Sequence, residues 1–129
     1  MAAYSGLVIA VDFDGTCVTH QYPFLGEDIG AAPVLRELVD NGHRIILYTM
    51  RSGKLEKEAV EWFRQNDIQL FAVNSNPLQK KWTKSVKIHA DVYIDDSALG
   101  CPLIHSMNAS RPYVDWVKVR EWLIAEGIL

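Results

Sequence analysis

Four short apolar runs, separated by longer segments with helical periodicity, set the pattern of this chain. Each run contains three to five aliphatic or aromatic residues and no charge, which is typical of strands that are covered on both faces of a parallel sheet. Strands joined by helices form right-handed crossovers, so the pattern predicts an α/β fold. The predicted strands are residues 7–11, 45–48, 70–73 and 92–94.

Three segments are predicted to be helices. Pro33 suits the first turn of the first helix and Asn41–Gly42 ends it, Ser52 can cap the second, and Asp115 can cap the third, which ends before Gly127. Each helix has one apolar face at the spacing expected for packing on a sheet. The faces consist of Val34, Leu35, Leu38 and Val39, then Leu55, Ala59, Trp62 and Phe63, and finally Trp116, Val119 and Leu123.

Length and composition indicate one domain spanning residues 1–129. The chain is 49% hydrophobic and 22% charged, which is ordinary for a globular core. Its net charge of −3 provides no overall basic field of the kind a general nucleic-acid binder uses. Residues 1–6 contain no basic leader, and Asp12 interrupts the following apolar run too early for a signal peptide or a membrane span. We therefore expect a cytoplasmic protein with no membrane partner.

Cysteine and histidine give no metal signature. Cys17 and Cys101 are far apart in no metal-like spacing, and we expect both to be reduced thiols. The histidines form no His-x-x-x-His pair, so the sequence predicts no zinc site. They are His20, His43, His89 and His105.

The first strand leads directly into two aspartates, Asp12 and Asp14, followed by Gly15 and Thr16. Catalytic side chains in parallel sheets lie at the carboxyl ends of strands, whereas an aspartate here can also simply cap a turn. A calcium-binding EF-hand loop does not fit, because Gly15 follows Asp14 directly and the twelfth position is Pro23 instead of glutamate.

Two further strands also end in chemistry-bearing residues. Thr49 and Arg51 follow the second strand, and Asp95 and Asp96 follow the fourth. Clustered carboxylates repel one another unless a cation neutralises them, and oxygen ligands of this type favour Mg²⁺. Thr49, Arg51 and a nearby lysine would supply donors for an anion beside the metal.

These motifs resemble, in order, those of the haloacid dehalogenase-like (HAD) superfamily of phosphohydrolases. The matching segments are Val11-Asp12-Phe13-Asp14-Gly15-Thr16, Leu47-Tyr48-Thr49, a lysine, and Tyr93-Ile94-Asp95-Asp96, and the finer pattern over residues 85–96 is similar to a subgroup of small predicted phosphatases. The resemblance implies a three-layer, Rossmann-like parallel sheet flanked by helices, with the first and fourth strands adjacent. It also implies Mg²⁺ as cofactor. An aspartate at position 14 points to phosphate-ester hydrolysis rather than dehalogenation.

The resemblance further implies a role for each residue. Asp12 would be the nucleophile that forms an aspartyl-phosphate, and Asp14 would be the acid and base. The metal ligands would be Asp12, the backbone carbonyl of Asp14, and Asp95. Asp96 would be either a further ligand or a residue that contacts the ligands without binding the metal. Thr49 and a lysine would hold the phosphate oxygens.

Two features remain open at this stage. The phosphate-binding lysine is assigned to Lys87, with Lys84 as the alternative. The superfamily usually closes its site with an inserted cap domain, but here the segments between motifs hold only a loop, single helices and a short basic stretch. We therefore expect a capless protein, in which a flap at residues 22–25 either covers the pocket partly or serves as packing.

The leading functional hypothesis is a Mg²⁺-dependent phosphatase that acts on a phosphomonoester, which is either a small molecule or a macromolecule. One alternative is a catalytically idle phosphate-binding or scaffold protein. Another is a nucleic-acid end-processing module with a basic strip and one stacking aromatic residue. That strip would comprise Lys80, Lys81, Trp82, Lys84 and Lys87. The sequence identifies neither the substrate nor the oligomeric state.

Overall fold

The computed structural model describes residues 6–129, so the interpretation of residues 1–5 as free of a leader lies outside the described residues. The main sheet has four parallel strands, and its order is β3-β2-β1-β4. This arrangement confirms the α/β class and the predicted adjacency of the first and fourth strands. The elements are β1 (Val8–Val11), α1 (Ala31–Asp40), β2 (Arg44–Leu47), α2 (Gly53–Gln65), β3 (Leu70–Val73), a 3₁₀ helix (Pro77–Lys81), β4 (Val92–Ile94), β5 (Leu103–Ile104), β6 (Tyr113–Val114) and α3 (Trp116–Ala125).

The two faces of the sheet are covered differently. Alternate residues of β1 belong to two separate cores, because successive side chains of a strand point to opposite faces. Ile9 and Val11 pack in the larger core, which includes buried residues from all three α-helices. Val8 and Ala10 pack instead in a second core with Ile46, Ile88 and Ala90. On this second face the expected helical layer is replaced by the irregular segment 77–91, where the 3₁₀ helix is five residues long.

The end of the chain adds a small hairpin that the sequence pattern did not indicate. Strands β5 and β6 pair antiparallel over only two residues each, too few to show an alternating pattern. Helix α3 follows, and the side chain of Asp115 accepts a hydrogen bond from the Lys118 amide, so the predicted cap is confirmed. Ser52 occupies the N-cap position of α2 but its side chain makes no capping hydrogen bond.

The loop between β1 and α1 forms a flap, which we define as residues 19–27. Its base is closed by two hydrogen bonds of 2.9 Å, from the Thr19 amide to the Glu27 carbonyl and from the Glu27 amide to the Thr19 hydroxyl. At the tip, Phe24 is 74% exposed. Within residues 6–129, no helix combines the length and apolar character that a membrane crossing requires.

Candidate functional site

Asp12 and Asp95 are neighbours because their strands pair in register. Val11 lies opposite Ile94 in the β1–β4 ladder, and the Asp12 amide continues the ladder by donating to the Ile94 carbonyl at 3.0 Å. Carboxylate oxygens of Asp12, Asp95 and Asp96 consequently lie within 4.8 Å of one another. The sheet therefore brings together three of the four predicted metal ligands.

Thr16 and Gly15 fix the positions of these carboxylates. The buried Thr16 hydroxyl donates to Asp12 Oδ2 at 2.8 Å and accepts from the Asp96 amide at 3.0 Å. Gly15 has a φ of +82°, and a Cβ atom there would lie 2.2 Å from Asp96 Oδ2. Only glycine fits this position, because it alone adopts that φ without strain and leaves room for the carboxylate. Thr16 is in turn anchored by Trp116, whose indole Nε1 donates to the Thr16 carbonyl at 2.7 Å.

The crowding of carboxylates has a marked electrostatic effect. Burial, together with the charges of Asp95 and Asp96, raises the pKa of Asp12 from 3.8 to about 8, although the Thr16 hydrogen bond opposes the change. Burial and the neighbouring Asp96 also raise the pKa of Asp95. A divalent cation would relieve this repulsion, and three carboxylates suit a hard ion such as Mg²⁺.

Asp14 lies apart from this cluster and pairs with Arg51. The guanidinium donates from Nε to Asp14 Oδ2 at 2.8 Å and from Nη2 to Asp14 Oδ1 at 2.7 Å. Arg51 is 1% exposed, and the hydrogen bonds to Asp14 raise its pKa. The side chain of Asp14 is thus not placed as a metal ligand here, which leaves its backbone carbonyl as the predicted contribution.

Arg51 also contacts the flap and the start of α2. Nη2 donates to the Phe24 carbonyl at 2.9 Å, and Nη1 donates to the Leu55 carbonyl at 3.4 Å. The guanidinium carbon lies 5.4 Å from the centroid of the Tyr22 ring and 5.1 Å from that of Phe13. Arg51 therefore lies beneath the surface as a link between Asp14 and the flap, which differs from the predicted role as a direct phosphate donor.

Thr49 is held by a residue that the sequence analysis did not single out. The Asn74 side chain accepts from the Thr49 amide at 2.8 Å and donates to the Thr49 carbonyl at 2.9 Å. The Thr49 hydroxyl accepts from the Arg51 amide at 3.0 Å, which leaves its own hydrogen free to donate to a ligand. Asn74 could have been identified from its position directly after β3, at the same edge of the sheet as Thr49.

The predicted lysine is not brought into contact with the carboxylates. Lys87 is exposed, and within the described part of the chain its ammonium group has no hydrogen bond or ion pair. Lys84 instead lines a cavity that also includes Asn74. The assignment between Lys87 and Lys84 therefore stays a prediction.

Cys17 is buried behind the site, and its thiol donates to the Asp12 carbonyl at 3.3 Å. Burial raises the pKa of this thiol well above its usual value, which keeps it protonated. Cys17 and Cys101 are both free thiols, as expected.

Comparison with known proteins identifies one informative similarity. The fold matches that of a conserved protein coded by a locus from Bacteroides thetaiotaomicron, with a TM-score of 0.75 and 37% sequence identity. The match covers 95% of this chain and 93% of that chain. No protein-family model matches the sequence, and no curated protein matches it.

Proposed function

This chain belongs to the same family as the conserved Bacteroides thetaiotaomicron protein, and we propose that it is a Mg²⁺-dependent phosphatase. It would hydrolyse a phosphomonoester through an aspartyl-phosphate, in a capless fold of the HAD type. The observation that carries the proposal is the juxtaposition of the Asp12, Asp95 and Asp96 carboxylates at one sheet edge, with Thr49 at the end of the neighbouring strand. A sheet needs no such polar edge for its stability.

The donor set fits Mg²⁺. Asp12, Asp95 and Asp96 would hold the ion, whose positive charge would offset the burial and mutual repulsion that raise the pKa values of Asp12 and Asp95. When bound, Mg²⁺ would neutralise charge on the phosphoryl oxygens and on the attacking carboxylate.

In the first step, a carboxylate oxygen of Asp12 attacks phosphorus while the bond from phosphorus to the ester oxygen breaks. Asp14, in its protonated form, gives its proton to the departing oxygen, which leaves as an alcohol. The Thr49 hydroxyl donates to a phosphoryl oxygen, and so does the ammonium group of Lys87, the lysine to which this role is assigned. In the second step, Asp14 takes a proton from water, whose oxygen attacks phosphorus and releases Asp12 and inorganic phosphate.

Arg51 positions Asp14 for these steps. Each Asp14 oxygen accepts one hydrogen bond from Arg51 and keeps a further lone pair that can bond to substrate or water. The same guanidinium donates to the Phe24 carbonyl in the flap, so Arg51 couples the orientation of Asp14 to the position of the flap. The two free thiols fit a reducing compartment, and we place the activity in the cytoplasm.

The test is hydrolysis of a panel of phosphomonoesters with Mg²⁺ or with excess chelator. Asp12→Asn keeps the size of the side chain and removes the nucleophile, so turnover should fall by about four or more powers of ten with the fold retained. Residual activity within about tenfold of the wild type would contradict the nucleophile assignment. Full activity in chelator would contradict the metal role, and a folded protein that hydrolyses nothing in the panel would favour the scaffold alternative.

A further inference from the structure

The segment between β3 and β4 is the most positively charged part of the chain. Residues 74–91 contain four lysines and one acidic residue, Asp91, so this segment carries +3 and the net charge of −3 leaves −6 on the rest. None of these ammonium groups forms an ion pair within the described residues. An anion that approaches this side of the molecule meets positive charge that the protein does not neutralise locally.

Two of these lysines, Lys80 and Lys84, line a cavity of about 450 Å³. Asn74, Asn76 and Thr83 add amide and hydroxyl groups to its walls. Lysine ammonium groups, amides and hydroxyls are donors that bind phosphate oxygens. Among the described residues, no aspartate or glutamate lines this cavity.

The backbone that carries these lysines is held firmly. The buried Gln79 side chain donates to the carbonyls of Ser85 at 3.2 Å and Lys87 at 2.9 Å, and it accepts from the His89 amide at 2.8 Å. Asn76, also buried, donates to the His89 carbonyl at 2.9 Å. These bonds tie both ends of the cavity wall together, so the backbone that carries the donors is fixed before an anion arrives.

The cavity, which we call the lysine cavity, adjoins the proposed phosphate site through Asn74. Asn74 lines the cavity, while its carboxamide bonds to both the amide and the carbonyl of Thr49. A substrate whose phosphomonoester lies at Thr49 can therefore extend along Asn74 towards Lys80 and Lys84.

We propose that the lysine cavity binds a second phosphate group of the substrate, an inference that rests on the proposed phosphatase function. The substrate class is then a phosphomonoester with another phosphate a few bonds away. That chemistry occurs in a small bisphosphate and in the terminally phosphorylated end of a nucleic-acid strand.

The experiment compares three substrates in Mg²⁺: p-nitrophenyl phosphate, a nucleoside 3′,5′-bisphosphate and a short single strand with a terminal phosphate. The wild type should prefer one of the last two, and Lys80→Ala should lower the ratio of its kcat/KM to that of p-nitrophenyl phosphate by about tenfold. Lys81→Ala is the matched control, because Lys81 adjoins Lys80 in sequence but does not line the cavity. It should leave the ratio within about twofold.

The preferred substrate identifies the source of the second phosphate. As a readout independent of turnover, the preferred substrate should bind to Asp12→Asn and more weakly to the Asp12→Asn, Lys80→Ala double variant. Equal use of all three substrates, or an equal loss in Lys81→Ala and Lys80→Ala, would overturn the inference. Hydrolysis of none of them would instead count against the proposed phosphatase function, and the lysine cavity would then stand or fall on whether Lys80→Ala, unlike Lys81→Ala, weakens binding of the two probes that carry a second phosphate.

Discussion

Arg51 is the residue whose surroundings differ most from what its predicted role leads one to expect. Its position after β2 made it a plausible phosphate donor, but its guanidinium is buried against Asp14 and under the flap. A bidentate arginine fixes the plane of a carboxylate, which lysine cannot do with a single ammonium group. The structure therefore favours a positioning role, which can be distinguished from direct phosphate binding by kinetics.

We expect Arg51→Lys to lower kcat by about a hundredfold while KM changes by less than about threefold, because Asp14 loses its orientation but the phosphate keeps its donors. Arg51→Ala should be partly rescued by added guanidinium. Steady-state kinetics with and without guanidinium make the measurement. Arg64→Ala is the control, since Arg64 forms an exposed ion pair with Glu61 on α2. A raised KM with unchanged kcat would instead identify Arg51 as a phosphate donor.

The phosphate-binding lysine gives a second prediction at this scale. Lys87→Ala should lower kcat/KM for p-nitrophenyl phosphate by about a hundredfold through lost charge stabilisation, and by more than Lys84→Ala does. Parallel kinetics of the two variants, with Tm as a check on folding, test the assignment. The opposite order would transfer the role to Lys84.

The positions of site residues that closely follow a strand could be predicted from sequence more reliably than those of residues further along the loops. Asp12, Thr49 and Asp95 each follow an apolar strand, and parallel pairing then places them at one edge of the sheet. The pairing of Asp14 with Arg51 could not be predicted, because Arg51 lies in a loop whose conformation leaves no periodic signal. Lys87 lies on such a segment as well, which is why sequence could not decide between it and Lys84.

At the scale of elements, the helices and the main strands were predicted well because each carries a long or fully apolar pattern. The hairpin β5–β6 was missed, since two-residue strands provide no alternation. The covering of the second face was also missed. Ile88 and Ala90 are buried there without helical periodicity, and Gln79 and Asn76 satisfy the backbone groups of the segment from its interior.

The flap allows a test at this scale. A Cβ atom on Gly26 would lie 1.9 Å from the Thr19 carbonyl oxygen, so Gly26→Ala must displace the flap base. Because the flap tip is exposed and Phe24 contacts Arg51, we expect kcat to fall by about tenfold while Tm changes by less than about 3 °C. The measurements are kcat by steady-state kinetics, Tm by thermal unfolding, and the rate of limited proteolysis within the flap. Gln21→Ala, on the same exposed loop, is the control, and unaltered kcat in Gly26→Ala would show that the flap is only packing.

At the scale of the whole molecule, the site charges affect the stability of the entire fold. The pKa of Asp12 is about 8 in the folded protein and near 3.8 when the chain unfolds, so the folded state binds this proton more tightly. Stability from this source is complete below about pH 4 and is lost as the pH rises towards 8. Mg²⁺ competes with the proton for the same carboxylates and should reverse the loss.

We therefore expect Tm in chelator to fall between pH 5 and pH 8 by at least about 5 °C more in the wild type than in Asp12→Asn, which has no proton to lose. Mg²⁺ should raise the wild-type Tm more at pH 8 than at pH 5, because at pH 5 the Asp12 carboxyl is protonated and offers a weaker ligand. Thermal unfolding at the two pH values, with Mg²⁺ or chelator, provides the measurement. Ca²⁺, which also prefers oxygen ligands, separates general charge neutralisation from a preference for the smaller ion. Equal pH dependence in both proteins would show that Asp12 is not the group whose ionisation limits stability, and an absent Mg²⁺ effect at pH 8 would remove the metal site from the proposed mechanism.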